Sequence, residues 1–254
     1  MDDEEATATA DLRARLQAAA AGQGDGLRRG LWVSFLDPYG LEVTTGCGAD
    51  WIGLDLQHGN LEPQDLPGLL RVAEAAGLPL LARTPTHDPA VLGRILDTGV
   101  SGLIVPMVES AAQAQALVAA TRPPPHGARS TDDCRSTLGV TRSPVQQLLL
   151  AMVETATGLD HAAEILSVPG VDGIFFGPYD LTLSAGYPAP DSPQTIDALR
   201  RVLRLARTAG KIAGFMAGRP GLLAVAPEAD LVAVDTDASA LRLGLGLGLT
   251  AVFQ

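Results

Sequence analysis

Lysine is almost missing from this sequence: Lys211 is the only one in 254 residues, against seventeen arginines. Catalysis through an activated amine therefore has one candidate. Cysteine is nearly as scarce. Cys47 and Cys134 make neither a disulfide framework nor a thiolate metal cluster. Net positive charge is absent, and a formal charge of -11 with no basic stripe excludes a phosphate-binding surface for nucleic acid. No apolar run approaches the roughly 20 residues of a membrane span. The opening Met1-Asp2-Asp3-Glu4-Glu5 has the wrong charge for a secretory signal, so a cytoplasmic protein is expected.

What is present is regular. Hydrophobic residues make up 46% of a chain whose length suits one (β/α)8 barrel, which runs to about 250 residues. Residues 1–27 read as a separate acidic, Ala-rich and then Gly-rich segment, with a helix near Leu12–Ala20. The remainder, 28–254, reads as the barrel. Short continuous apolar runs predict strands at Leu31–Phe35, Trp51–Asp55, Pro79–Arg83, Gly102–Pro106, Leu148–Val153, Asp172–Phe176, Ile212–Met216 and Leu231–Val234. Amphipathic stretches of helical period lie between most of them: Pro63–Ala76, Pro89–Thr98, Ser110–Ala120, Leu159–Ser167 and Ser192–Ala209. Fully apolar strands alternating with helices indicate βαβ units and a buried parallel sheet. An open doubly wound sheet is the rival, but no Gly-rich dinucleotide fingerprint follows the first strand. A long Pro/Gly/Ser loop is expected from Arg122 to Thr141. The tail Leu243-Gly244-Leu245-Gly246-Leu247-Gly248-Leu249 alternates like a strand but stands where the eighth helix belongs, and is read as helix.

In a parallel barrel every strand C-terminus opens on one face, so polar residues there converge. Glu154 and Asp180 follow neighbouring strands and suit a hard cation with oxygen ligands, unless each merely caps its following helix. Arg83 ends the third strand, where its fork could hold a carboxylate or an enolate oxygen, or else form a salt bridge with Asp55 or Glu154. His58 follows the second strand as a candidate general base, with Asp97 or Asp55 to orient it. Gly177-Pro178-Tyr179-Asp180 turns into a helix whose first amides could hold an anion. Lys211 falls at the start of the seventh strand, the wrong end of the barrel for a Schiff base.

Together these segments resemble the HpcH/HpaI aldolases. The resemblance runs from Gly30 to Asp237 through Asp50-Trp51-Ile52-Gly53-Leu54-Asp55-Leu56-Gln57-His58-Gly59, Leu96-Asp97-Thr98-Gly99 and Val153-Glu154-Thr155. It is strongest at Pro169–Leu181, which contains Gly173-Ile174-Phe175-Phe176-Gly177-Pro178-Tyr179-Asp180. It implies a divalent-metal-dependent lyase that makes or breaks 4-hydroxy-2-oxo acids from pyruvate and an aldehyde. Mg²⁺, Mn²⁺ or Co²⁺ would be held by Glu154 and Asp180, with Arg83 on the pyruvate oxygen. His58 with Asp97 would be the acid/base pair, and the Tyr179 and Asp180 amides would hold the pyruvate carboxylate. It also implies a homo-oligomer, usually a hexamer built as a trimer of dimers that exchange the last helix. The chain departs from the family at Gln57, Met152, Arg129-Ser130 and a shortened 131–144 stretch, and at Asp235, where the family has glycine. A CoA-thioester lyase, a decarboxylase or synthase using the same enolate, and a non-catalytic binding barrel are the alternatives.

Overall fold

The computed structural model describes residues 12, 14–16, 18, 27–137 and 147–251. Eight parallel strands close into a barrel in sequence order. They are β1 (Leu27–Val33), β2 (Trp51–Asp55), β3 (Leu80–Arg83), β4 (Gly102–Val105), β5 (Leu148–Val153), β6 (Gly173–Phe176), β7 (Ile212–Met216) and β8 (Leu231–Thr236). The outer layer is α1 (Pro38–Thr44), α2 (Leu66–Ala75), α3 (Pro89–Asp97), α4 (Ala111–Thr121), α5 (Ala156–Asp160), α6 (Ala162–Ser167), α7 (Pro178–Ala185), α8 (Pro193–Thr208), α9 (Pro220–Leu223) and α10 (Asp237–Ala251). This is the expected single (β/α)8 barrel.

Local chemistry sets the helix starts. Asp37, Asp88, Ser110, Thr155 and Ser192 each accept a backbone N–H of the first turn that follows. Each such cap contributes about 1 kcal/mol. Three elements differ from the sequence reading. β1 ends at Val33 because the next amides turn away to Asp237: Ser34, Phe35 and Leu36 all donate to its Oδ2. The helix expected over Leu159–Ser167 starts at Ala156 and is split at His161, whose ring bonds the Glu109 carbonyl at 2.8 Å. The long loop, as far as it is described, lies at the N-terminal ends of the strands. Arg122 reaches the carbonyls of Gln147 and Gly170 together with Asp172, and Arg135 reaches the Thr98 carbonyl and Glu74. Its remainder, 138–146, falls outside the described residues.

Period-two alternation divides the strands between two cores. Outward residues such as Ile52, Leu80, Leu103, Ile174 and Val232 pack against the helices. Inward residues fill the barrel, and Leu12 and Leu16 of the N-terminal helical residues join them. Three aromatics dominate this interior. Trp32 stacks on Phe175 at 5.7 Å, and Trp51 meets the same ring edge-on at 6.4 Å. Their bulk is accommodated by glycine on adjoining strands. A methyl group on Gly53 would lie 2.5 Å from Cε3 of Trp32, and one on Gly214 would lie 2.8 Å from Phe175. A barrel of eight strands has room for only a few side chains in each layer, so large and small residues must alternate across it.

Gly53→Ala is therefore expected to destabilise the fold by about 1–3 kcal/mol through overpacking against Trp32. Trp51→Ala, which leaves a cavity instead, is expected to cost about 3–5 kcal/mol. Urea denaturation of both variants measures this; a Gly53→Ala midpoint equal to wild type contradicts the packing account.

Candidate active site

The C-terminal ends of the strands surround a cavity of about 330 Å³ lined by Trp32, Ser34, Asp55, His58, Arg83, Met152, Glu154, Phe175, Gly177, Pro178, Tyr179, Asp180, Met216, Gly218, Asp235 and Thr236. Alternation carries the inward rows of the strands up to this rim. Trp51 and Gly53 lead to Asp55, Leu81 leads to Arg83, and Leu150 and Met152 lead to Glu154.

Asp55 and Arg83 stand in register on β2 and β3, both buried. The Asp55 carboxylate accepts Arg83 Nε at 2.9 Å on Oδ1 and Nη2 at 2.5 Å on Oδ2. The amides of Gln57 and His58 and the indole of Trp32 also donate to it. Burial pushes the Asp55 carboxyl up, but the Arg83 hydrogen bonds and charge, with the two amides, outweigh it and hold it below the usual range. Arg83 lies over the Trp32 ring, 5.4 Å from its centroid. The anticipated Arg83–Asp55 salt bridge exists, yet it leaves Arg83 Nη1 with no hydrogen-bond acceptor among the described residues, on a side chain that lines the cavity.

Glu154 is 1% exposed. Its Oε1 accepts the Met107 amide at 2.8 Å, from a residue held at φ 55°, while Oε2 is buried with no hydrogen-bond partner. Burial raises the Glu154 carboxyl to about 7; the Met107 amide and Arg83 oppose this, whereas the charge of Asp180 adds to it. Glu154 and Asp180 both line the cavity. Gly177 leaves room for Glu154, since a methyl group there would lie 2.7 Å from Glu154 Oε2. Asp180 sits in the first turn of α7 and is not its cap; Gly177 holds that position and offers no side chain, so the early amides of α7 have no capping acceptor. Among the described residues no three His, Cys, Asp or Glu side chains cluster for a metal, so a cation at this acidic pair would take the rest of its ligands from water or substrate.

His58 lines the cavity, exposed, at the end of a turn fixed by Asp55. Asp97 is not brought to it. α3 runs back down the barrel, so its last residue lies at the opposite end from the cavity. There Asp97 accepts Arg129 Nη2 at 2.7 Å, beside Gln147, which precedes β5. Of the two acids expected to orient His58, only Asp55 is near it in this chain. Lys211 also lies at that far end and donates to the Val171 carbonyl. Sequence reasoning passed over Met107 and the cavity-lining role of Trp32, Ser34, Asp235 and Thr236. Alternation along β1 and β8 carried a signal for Trp32, Ser34 and Asp235, but none for Thr236 or Met107.

An anchored guanidinium beside a buried glutamate and a half-buried aspartate, with no lysine in reach, equips a barrel enzyme to hold negative charge while carbon–carbon bonds break and form. A model of the HpcH/HpaI aldolase/citrate lyase family matches residues 28–235. A hydroxypyruvate/pyruvate aldolase of Chromohalobacter salexigens is 38% identical over 213 residues, covering 78% of this chain and 81% of that protein. A 2-keto-3-deoxy-L-rhamnonate aldolase of Escherichia coli is 36% identical over 220 residues, covering 82% of each. Among solved structures, an HpcH/HpaI aldolase/citrate lyase family protein of Burkholderia cenocepacia superposes with a TM-score of 0.85 at 29% identity, covering 94% of this chain and 99% of that one. The chain belongs to the HpcH/HpaI aldolase/citrate lyase family, and it is a carbon–carbon lyase.

Because the folded state raises the Glu154 carboxyl from its ordinary 4.5 to about 7, the proton is bound more tightly in the folded protein. The associated stability is fully present below about pH 4.5 and is lost as pH rises through 7. In chelator-treated protein, Glu154→Gln is expected to melt above wild type at pH 8, by an equivalent of up to about 3 kcal/mol, with the gap mostly closed by pH 5. Thermal scans at the two pH values check this, and a gap independent of pH contradicts it.

Proposed function

We propose that this lyase forms and cleaves 4-hydroxy-2-oxo acids, with pyruvate as the nucleophilic half and an aldehyde as the other, and depends on a divalent cation. The observation that carries the reading is Glu154 Oε2, a buried oxygen without a partner in a cavity that Asp180 also lines. Nitrogen and sulfur ligands are absent from this pair, which suits Mg²⁺, Mn²⁺ or Co²⁺. When bound there, such an ion supplies Lewis-acid stabilisation of charge on the keto oxygen. The relatives named as aldolases of pyruvate and of a 2-keto-3-deoxy acid support the same substrate class.

The chain's own residues do the rest. The free edge of Arg83 shares the negative charge that develops on pyruvate as the C3–C4 bond breaks, and Asp55 keeps that edge in place. The amides at the start of α7, with Gly177 and Pro178 shaping the turn, receive the pyruvate carboxylate. His58 takes the C4 hydroxyl proton in cleavage; in synthesis C3 bonds to the aldehyde carbon and the proton returns to the new oxygen. Trp32 and Phe175 close the cavity floor against water from the barrel interior. Asp97 has no part in this scheme within one chain.

The same reading includes a homo-oligomer in the cytoplasm. From Ala238 to Ala251 every residue of α10 is exposed, including Leu241, Leu243, Leu245, Leu247 and Leu249. A helix weakened by three glycines, at about 1 kcal/mol each, needs packing to persist. A second copy would provide it. Among the described residues no helix is long and apolar enough to cross a membrane.

Release of pyruvate from a 4-hydroxy-2-oxo acid is expected to stop with EDTA and resume with Mg²⁺ or Mn²⁺. Glu154→Ala should abolish turnover, and His58→Ala should slow it by about 10²–10⁴-fold. Activity that survives chelation and is trapped by borohydride would overturn the scheme in favour of an amine.

A further inference from the structure

β8 places a fourth carboxylate in the cavity, apart from the acidic pair and from Asp55. Leu231 and Ala233 point into the barrel, Val232 and Val234 point out, and Asp235 continues the inward row to the cavity wall. Its carboxylate is held by two hydrogen bonds: Oδ1 accepts the Thr236 amide at 2.8 Å, and Oδ2 accepts the Ser239 hydroxyl at 3.0 Å. Among the described residues no arginine, lysine or histidine pairs with it. Arg83, the only arginine in the cavity lining, is tied to Asp55 through Nε and Nη2, and in the scheme above its remaining edge is taken by pyruvate. Ser34 and Thr236 flank Asp235 with further oxygen atoms. In a ring of eight strands β1 stands opposite β5, so this patch on β8 and β1 lies across the cavity from Glu154.

Resting on the pyruvate-aldolase reading above, we propose that Asp235 selects the acceptor aldehyde: it favours an uncharged aldehyde bearing hydroxyl groups and excludes one bearing a carboxylate. Pyruvate takes the end of the cavity that holds Glu154, Asp180 and the start of α7, so the acceptor extends toward β8. A hydroxyl there donates to the remaining lone pairs of Asp235, a charge-assisted bond stronger than a neutral one. A carboxylate in the same place meets a fixed like charge with no cation to offset it. Discrimination of this kind works by repulsion of the wrong substrate as much as by attraction of the right one. The residue determines specificity and takes no proton in the scheme.

Glycolaldehyde and glyoxylate differ by little more than a hydroxyl against a carboxylate, so condensation of each with pyruvate tests the assignment. Wild type is expected to show the lower KM for glycolaldehyde. Asp235→Asn and Asp235→Gly are each expected to shift the ratio of kcat/KM values at least tenfold toward glyoxylate, chiefly through KM. Exchange of pyruvate methyl protons with deuterated water, measured in wild type without any aldehyde, tests the underlying aldolase reading by itself. Absent exchange removes that reading and this assignment with it. Exchange present, with the variant ratios within twofold of wild type, overturns the role of Asp235 alone. If neither variant folds, a wild-type KM lower for glyoxylate than for glycolaldehyde overturns it equally.

Discussion

The buried pair of Asp55 and Arg83 is the contact on which the cavity depends. Either charge alone in that position would be costly: removing one partner of a buried ion pair typically costs about 3–5 kcal/mol. Together they satisfy each other, and the carboxylate has enough capacity left to order its surroundings. It fixes the Trp32 indole below, the guanidinium beside it and the two amides that lead to His58. One anion thus sets the floor, the charge-binding group and the histidine turn. Glu154 stands in the opposite condition. Its surroundings leave one oxygen without a partner and raise its proton affinity, a state that a cation relieves.

The barrel could be read from the sequence because its strands are buried on both faces and appear as unbroken apolar runs. The apolar helical stripes between them have their own period. Strand limits were less legible where a distant side chain sets them: β1 stops at Val33 because of Asp237, some two hundred residues away. At the site, Glu154, Asp180, Arg83 and His58 were legible because each follows an apolar run, and the structure brings all four to one cavity. Where Asp97 lies was not legible, because a motif along the sequence carries no information about which end of the barrel it occupies; the direction of α3 does. Met107 left no trace at all, since it acts through its amide and any residue has one.

A division of labour follows from the alternation along each strand. Residues facing the helices are nearly all aliphatic and serve stability. The inward rows of β2, β3, β5 and β8 are apolar until they reach Asp55, Arg83, Glu154 and Asp235 at the rim. Chemistry is therefore confined to a single layer resting on Trp32 and Phe175, and changes there leave the lower packing intact. This explains how an acid can stand near the end of β8 without disturbing the barrel. The residue beneath it, Ala233, is small and already buried.

Asp237 gives the order of these events a direction. Its carboxylate gathers the amides of Ser34, Phe35 and Leu36 and the Ser34 hydroxyl, joining the exit of the first strand to the end of the last. During synthesis from the N-terminus, β1 leaves the ribosome long before the residue that shapes its rim has been made. The nascent protein must carry an unsealed seam, with one edge strand waiting for its neighbour, until almost the whole chain has emerged. Such a barrel matures at its mouth last, and a translation product cut short before β8 is left with an open sheet.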